Sequence, residues 1–137
     1  MNVRFALFGV LAAISLAIGC APQGPPIVPV SGRVLLDGKP LTHGIVRFAP
    51  PNQRPALGRL DGEGRFTLTT RSDGDGAIVG THRVAVQSHE PTSNPPGVKW
   101  HAPQKYANYS SSGLTQEILG PTADLVINLS RNGPEPR

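Results

Sequence analysis

The hydrophobic residues of this chain form one long N-terminal run, followed by a series of short runs. The first run extends from Phe5 to Ile18 without a charged residue, after Arg4 and before Gly19-Cys20. A positive residue, a short apolar region and small residues at a cleavage site predict a secretory signal peptide over residues 1–19. A membrane-spanning helix needs roughly 20 apolar residues, so this shorter run is interpreted as a signal and not as an anchor.

Beyond the signal, the apolar positions follow the period of β-strands. In residues 65–70, Phe66 and Leu68 face one side and the polar residues between them face the other. The turn signals Asp37-Gly38 and Asp61-Gly62 end two of the apolar runs. The seven predicted strands are residues 32–36, 44–49, 57–60, 65–70, 81–87, 115–119 and 124–130. Their inward faces predict a core of Val34, Leu36, Val46, Phe48, Phe66, Leu68, Val84, Val86, Leu125, Ile127 and Leu129.

This pattern predicts an all-β fold, a single seven-stranded antiparallel Greek-key β-sandwich after a signal peptide. The 16 Gly and 15 Pro favour turns over long helices. We expect a Pro-rich tether over residues 20–29, the sandwich over residues 30–130 and a disordered polar tail over residues 131–137.

Cys20 is the chain's one cysteine, which excludes an internal disulfide. The segment from Leu16 to Cys20 resembles a bacterial lipobox, with Ala17 at the place where Leu is commonest. That resemblance implies cleavage before Cys20 and lipidation of its thiol by diacylglycerol, with further acylation such as palmitate. The alternative is an ordinary cleaved signal that leaves Cys20 buried or unpaired.

The net charge of the chain limits the classes of binding partner that we expect. The formal net charge is +4, and removal of residues 1–19, which contain Arg4 and no acid, leaves +3. The basic residues are scattered along the sequence, so no nucleic-acid partner is expected. Weak attraction to anionic lipid or polysaccharide is the most that this charge allows.

Five segments carry a family resemblance. They are Val30-Ser-Gly-Arg-Val, Asp37-Gly-Lys-Pro-Leu, Gly44-Ile-Val-Arg-Phe, Asp61-Gly-Glu-Gly-Arg-Phe and Gly80-Thr-His-Arg-Val-Ala-Val. In this order they resemble the carboxypeptidase regulatory-like domain found in small bacterial envelope lipoproteins, over residues 30–130. The resemblance implies a transthyretin (prealbumin)-like sandwich that acts as a folding or binding accessory and bears no catalytic residues.

Candidate chemistry is sparse. His43, His82, His89 and His101 are spread singly, without the spacing of a zinc site. The segment Asp73-Gly-Asp-Gly lacks the later ligands of a calcium loop and is interpreted as a turn. We therefore expect no enzyme, no metal and no cofactor.

Residues 90–114 form a long Pro- and Ser-rich stretch that contains Trp100, Tyr106 and Tyr109. Long loops in compact domains are often functional, and these aromatic side chains are candidates for binding a partner or a sugar. The alternative is that Trp100 and Tyr106 fold back and cover one end of the core.

The sequence thus predicts a non-catalytic, membrane-anchored envelope lipoprotein whose β-sandwich engages another envelope protein. The alternative is a carbohydrate-binding module that uses the aromatic residues of the 90–114 stretch. The expected location is extracytoplasmic, on the cell membrane or the outer membrane. Ala21 favours the outer membrane, because it replaces the aspartate that retains similar lipoproteins at the inner membrane.

Overall fold

A computed structural model of the chain describes residues 19–20 and 24–133. The predicted signal peptide, apart from Gly19, lies outside the described residues, as do the last four residues of the predicted tail. Within the described part of the chain, no helix is both long and apolar enough to cross a membrane.

The described residues form an all-β sandwich of two main sheets. The first sheet contains, in spatial order, Leu114–Ile118 (β11), Gly80–Gln87 (β8), Ile45–Ala49 (β4) and Ala56–Arg59 (β5). The second contains Thr122–Leu129 (β12), Val30–Leu36 (β2) and Lys39–Pro40 (β3), with Arg65–Thr67 (β6) also paired to β2. Two short pairs complete the fold: Ile27–Val28 (β1) with Ala77–Ile78 (β7), and His89–Ser93 (β9) with Pro96–Trp100 (β10). Each of the seven predicted strands is present.

The core lies between the two sheets and follows from the alternation along the strands. In β4, Val46 and Phe48 are buried while Ile45 is exposed and Arg47 half-buried. Ten of the eleven predicted core residues are buried, and Leu125 is partly buried against the same cluster.

The two predicted turns are confirmed. Asp37 and Gly38 both have positive φ values, 50° and 79°, as a tight hairpin between β2 and β3 requires. In the second turn, Asp61 Oδ1 accepts hydrogen bonds from the backbone N–H groups of Glu63 at 2.8 Å and Arg65 at 2.9 Å. These two bonds hold the pKa of the Asp61 carboxyl below its ordinary value.

One strand pair departs from the predicted antiparallel arrangement. β12 pairs with β2 in parallel, with Thr122 opposite Val30 and Leu129 opposite Leu36. Parallel neighbours need a long connection, and nearly the whole domain lies between these two strands in the chain. The alternation of apolar residues fixes which face of β12 is buried, but it carries no information about strand direction.

The stretch 90–114, expected as a long loop, is largely ordered structure. It contains most of the β9–β10 hairpin, a 3₁₀ turn at Gln104–Ala107 and a helical turn at Tyr109–Ser112. Both strands of a two-stranded hairpin are edge strands, where a residue without an N–H is tolerated, so the prolines of β9 and β10 are compatible with this pairing.

The sandwich has two distinct ends. The strand β1 belongs to the segment expected as a tether, and it pairs with β7; Val79 N–H also donates to Pro26 O at 3.0 Å. We call this the tether end, formed by residues 24–29, 72–79 and 119–121. Both β2 and β12 run away from it, so the β2–β3 turn and residues 130–131 lie at the opposite, distal end.

Candidate functional site

Cys20, the predicted lipidation site, is exposed. Six residues, 21–26, separate it from β1. A six-residue segment spans at most about 20 Å when fully extended. Whatever holds Cys20 therefore holds the tether end of the sandwich close by.

The three predicted aromatic site residues make contacts with different neighbours. Trp100 is half-buried at the end of β10, directly opposite His89 on β9, with ring centroids 4.8 Å apart in an edge-on arrangement. Tyr109 is half-buried beneath two guanidinium groups, those of Arg47 at 5.3 Å and Arg83 at 5.7 Å from the ring centroid. Trp100 and Tyr109 therefore each place an aromatic ring beside a charged or polar side chain at the surface.

Tyr106 belongs to the core. Its side chain is 4% exposed and lies within the main hydrophobic cluster. Its hydroxyl donates to Ser130 O and accepts from Ser130 N–H, both at 3.0 Å. Tyr106 thus covers the core and holds the chain after β12. For this residue the alternative interpretation of the 90–114 stretch, in which the aromatic side chains fold back over the core, is confirmed.

The distal end carries an open cleft of about 810 Å³, which we call the distal cleft. A cleft of this size is in the range of ligand and peptide sites. Its lining residues come from four parts of the chain: Leu36, Asp37, Lys39, Pro40, Leu41, Thr42, His43, Glu90, His101 and Arg131.

One wall of the distal cleft is formed by His43, Glu90 and His101, with Lys99 beside Glu90. The Glu90 carboxylate lies 3.5 Å from His101 Nε2 and 3.6 Å from Lys99 Nζ, and the rings of His43 and His101 are 5.2 Å apart. Partial burial acts to raise the pKa of the Glu90 carboxyl, but His101 and Lys99 outweigh it and hold that pKa below its ordinary value. Glu90 is therefore ionised near neutral pH.

Buried Ser88 holds the two histidines of this wall in place. Its hydroxyl donates to the backbone carbonyl of His43, and its own carbonyl accepts from the backbone N–H of His101 at 2.9 Å. Arg131 and Asp37, which also line the cleft, form an ion pair at 3.5 Å. The distal cleft therefore offers both signs of charge around the buried aliphatic residues Leu36 and Leu41.

The position of His82 favours a structural role. His82 is fully buried, with Nε2 2.6 Å from Ile78 O and its ring edge-on to Phe48. Within residues 19–20 and 24–133, no group of three or more His, Cys, Asp or Glu side chains is placed to hold a metal ion. The segment Asp73-Gly-Asp-Gly is a turn, as expected, with the Asp75 carboxylate accepting bonds from three backbone N–H groups of residues 70–72.

Sequence reasoning did not find the distal cleft. Its charged residues were visible singly, but they come from four separate parts of the chain, around residues 36–43, 90, 101 and 131. Only the strand pairing brings them together, so no local spacing could have identified them.

Comparisons of the chain with protein-family models, with curated proteins and with solved structures each give no match.

Proposed function

We propose that this protein is an exported, lipid-anchored, non-catalytic lipoprotein of the bacterial envelope, whose carboxypeptidase regulatory-like sandwich binds another envelope protein through the distal cleft. Its anchor is a diacylglycerol-modified Cys20, on the outer membrane by the Ala21 criterion. No cofactor or nucleic acid is part of this function.

The observation that carries the proposal is the position of the cleft relative to Cys20. The short segment from Cys20 joins the sandwich at the tether end, and the distal cleft opens at the other end. With lipid on Cys20, the sandwich stands with its tether end against the membrane and its cleft towards the soluble space. A partner protein then reaches the cleft without competition from the lipid surface.

The composition of the distal cleft favours a protein partner. Stable protein interfaces combine an apolar centre with a polar rim that supplies hydrogen bonds. Leu36, Pro40 and Leu41 supply the apolar part, while Lys39 and Glu90 at its edge supply charges of opposite sign. Such paired charges give specificity and orientation more than raw affinity.

Lipidation is tested by metabolic labelling with an alkyne-bearing palmitate in the native cell. The wild type is expected to carry the label and to fractionate with membranes, because more than one acyl chain gives durable attachment. Cys20→Ser is expected to lose both the palmitate label and the fractionation with membranes. An unlabelled, freely released wild-type protein would contradict the anchoring half of the proposal.

The binding half is tested by a photo-cross-linking residue at one of two exposed positions. Thr42 lies at the distal cleft, while Asn52 lies in the β4–β5 loop and serves as the matched control. We expect one envelope protein to be captured from position 42 and not from position 52. Equal capture from both positions, or none from position 42, would reject the distal cleft as the docking surface.

A further inference from the structure

A second groove, separate from the distal cleft, is lined by three arginines that are scattered in the sequence. Arg33 lies on β2, Arg65 lies on β6 and Arg59 ends β5. All three line a groove of about 620 Å³ on the outer surface, which we call the arginine groove. It lies outside the surface assigned to the proposed function.

The strand register places two of these arginines directly opposite each other. Arg33 is directly opposite Arg65 across the β2–β6 pair, and the next pair on the same face is Ser31 opposite Thr67. Side chains directly opposite in an antiparallel pair are close neighbours, and like charges in such positions repel. The fold therefore places two arginine residues on neighbouring positions of one face, next to a pair of residues that carry hydroxyl groups.

The acids of the groove leave part of this positive charge uncompensated. Among the residues that the structure describes, no carboxylate lies within 4.0 Å of the guanidinium of Arg33 or Arg59, while Arg65 Nε is 3.2 Å from Glu63 in an exposed pair. Asp61 also lines the groove; its Oδ1 accepts hydrogen bonds from the backbone N–H groups of its own turn, and its negative charge offsets part of the charge of Arg65.

The two other carboxylates belong to the opposite half of the groove. Asp73 is in the turn that follows β6, and Asp124 lies near the start of β12, both towards the tether end. Arg59 and Arg65 lie towards the distal end, since Arg59 is opposite Ile45 at the distal start of β4. The distal half of the groove thus holds three arginines against Asp61 and the neighbouring Glu63, the other half holds Asp73 and Asp124, and hydroxyl side chains lie between.

We infer that the arginine groove binds an acidic oligosaccharide, with a sugar carboxylate held between Arg33 and Arg65. Guanidinium groups bind carboxylates in a two-pronged geometry that a neutral group does not satisfy. The hydroxyl groups of Ser31 and Thr67 and the carboxylates of Asp73 and Asp124 are partners for the hydroxyl groups of neighbouring sugar units. Leu57, 48% exposed at the groove, offers an apolar surface to a sugar ring.

The test is calorimetric titration of the mature chain in a neutral detergent with trigalacturonate, and with galactotriose as the uncharged probe. We expect trigalacturonate to bind, more weakly as salt rises because the charges are screened, and galactotriose to give no heat. Arg33→Gln and Arg65→Gln are each expected to weaken binding at least tenfold. Arg54→Gln, the same charge change in the exposed β4–β5 loop, is the matched control and is expected to leave binding unchanged.

A stability measurement separates a binding role from a structural one. Because Arg33 faces a like charge, Arg33→Gln is expected to leave the melting temperature of the ligand-free protein unchanged or to raise it. A fall in the melting temperature together with the loss of binding would instead assign Arg33 a structural role.

Three other results would overturn the inference. The first is no binding of trigalacturonate, and the second is equal weakening by Arg54→Gln, which would indicate attraction to net charge alone. The third is Arg33-dependent capture by phosphatidylglycerol vesicles that trigalacturonate does not compete away, which would assign the groove to a lipid surface.

Discussion

The hydroxyl of Tyr106 offers a sharp test of how the 90–114 stretch supports the fold. It makes two hydrogen bonds of 3.0 Å with the backbone of Ser130, one as donor and one as acceptor. The ring itself is buried in the core. Tyr106→Phe removes both bonds and leaves the packing of the ring in place.

The expected loss in the free energy of unfolding is about 1–2 kcal/mol. Each hydrogen bond contributes about 0.5–1.5 kcal/mol net, and a backbone group left without a partner adds a desolvation cost. Half-buried Ser130 retains some access to water, so the lower part of the summed range applies. For a domain near 100 residues, this loss corresponds to a fall in melting temperature of roughly 4–10 °C.

The assay is urea denaturation followed by circular dichroism, with Tyr109→Phe as the matched control. The described contacts of Tyr109 are made by its ring with Arg47 and Arg83, so removal of its hydroxyl is expected to change the free energy of unfolding by less than about 0.5 kcal/mol. If Tyr106→Phe proves as stable as the wild type, the hydroxyl does not hold the end of β12, and the structural role assigned to Tyr106 is wrong.

Three further predictions concern the tether end and the distal cleft. Burial acts to raise the pKa of the Asp75 carboxyl, but hydrogen bonds from three backbone N–H groups of residues 70–72 outweigh it and lower that pKa. The ionised carboxylate therefore stabilises the folded state fully above about pH 4, and this stabilisation is lost as the pH falls through the lowered pKa of the folded state. Urea titrations should therefore find Asp75→Asn less stable than wild type by about 1 kcal/mol at pH 7, with the difference shrinking at pH 3; a constant difference would contradict this. Gly76→Ala places a Cβ against the carbonyl oxygen of Val28, too close for both atoms to keep their positions, so we expect hydrogen exchange to show loss of β1 pairing; unchanged protection would contradict this expectation. The pKa of Glu90, followed by carboxyl NMR, should lie below its ordinary value and rise in Lys99→Ala; no rise would exclude the contribution of Lys99.

The strands of the sandwich could be predicted from the sequence because their burial alternates. Phe66 and Leu68 are buried and their neighbours Arg65 and Thr67 exposed, so the period of two is visible in the chain. The β9–β10 hairpin could not be found in this way. Its residues are mostly exposed or half-buried and include several prolines, so neither hydrophobic alternation nor β-propensity marks it as a strand pair.

The candidate sites depend on register and topology, which the sequence pattern does not contain. Arg33 and Arg65 are both outward-facing positions of predicted strands, and that much follows from alternation. Their placement opposite each other follows only from the β2–β6 register. A shift of one residue in that register would turn Arg65 towards the core and expose Phe66. Burial of Phe66 therefore also determines that Arg65 lies opposite Arg33.

The parallel pairing of β2 with β12 determines which parts of the molecule share an end. Since both strands start at the tether end, Thr122 N–H bonds to Pro29 O there, while Asp37 and Arg131 meet at the distal end. Had β12 run antiparallel to β2, residues 130–131 would lie beside the segment that leads to Cys20, and the distal cleft would lose the wall that Arg131 provides. The separation between Cys20 and the distal cleft is therefore a consequence of strand direction, the one property of β12 that its alternating sequence leaves undetermined.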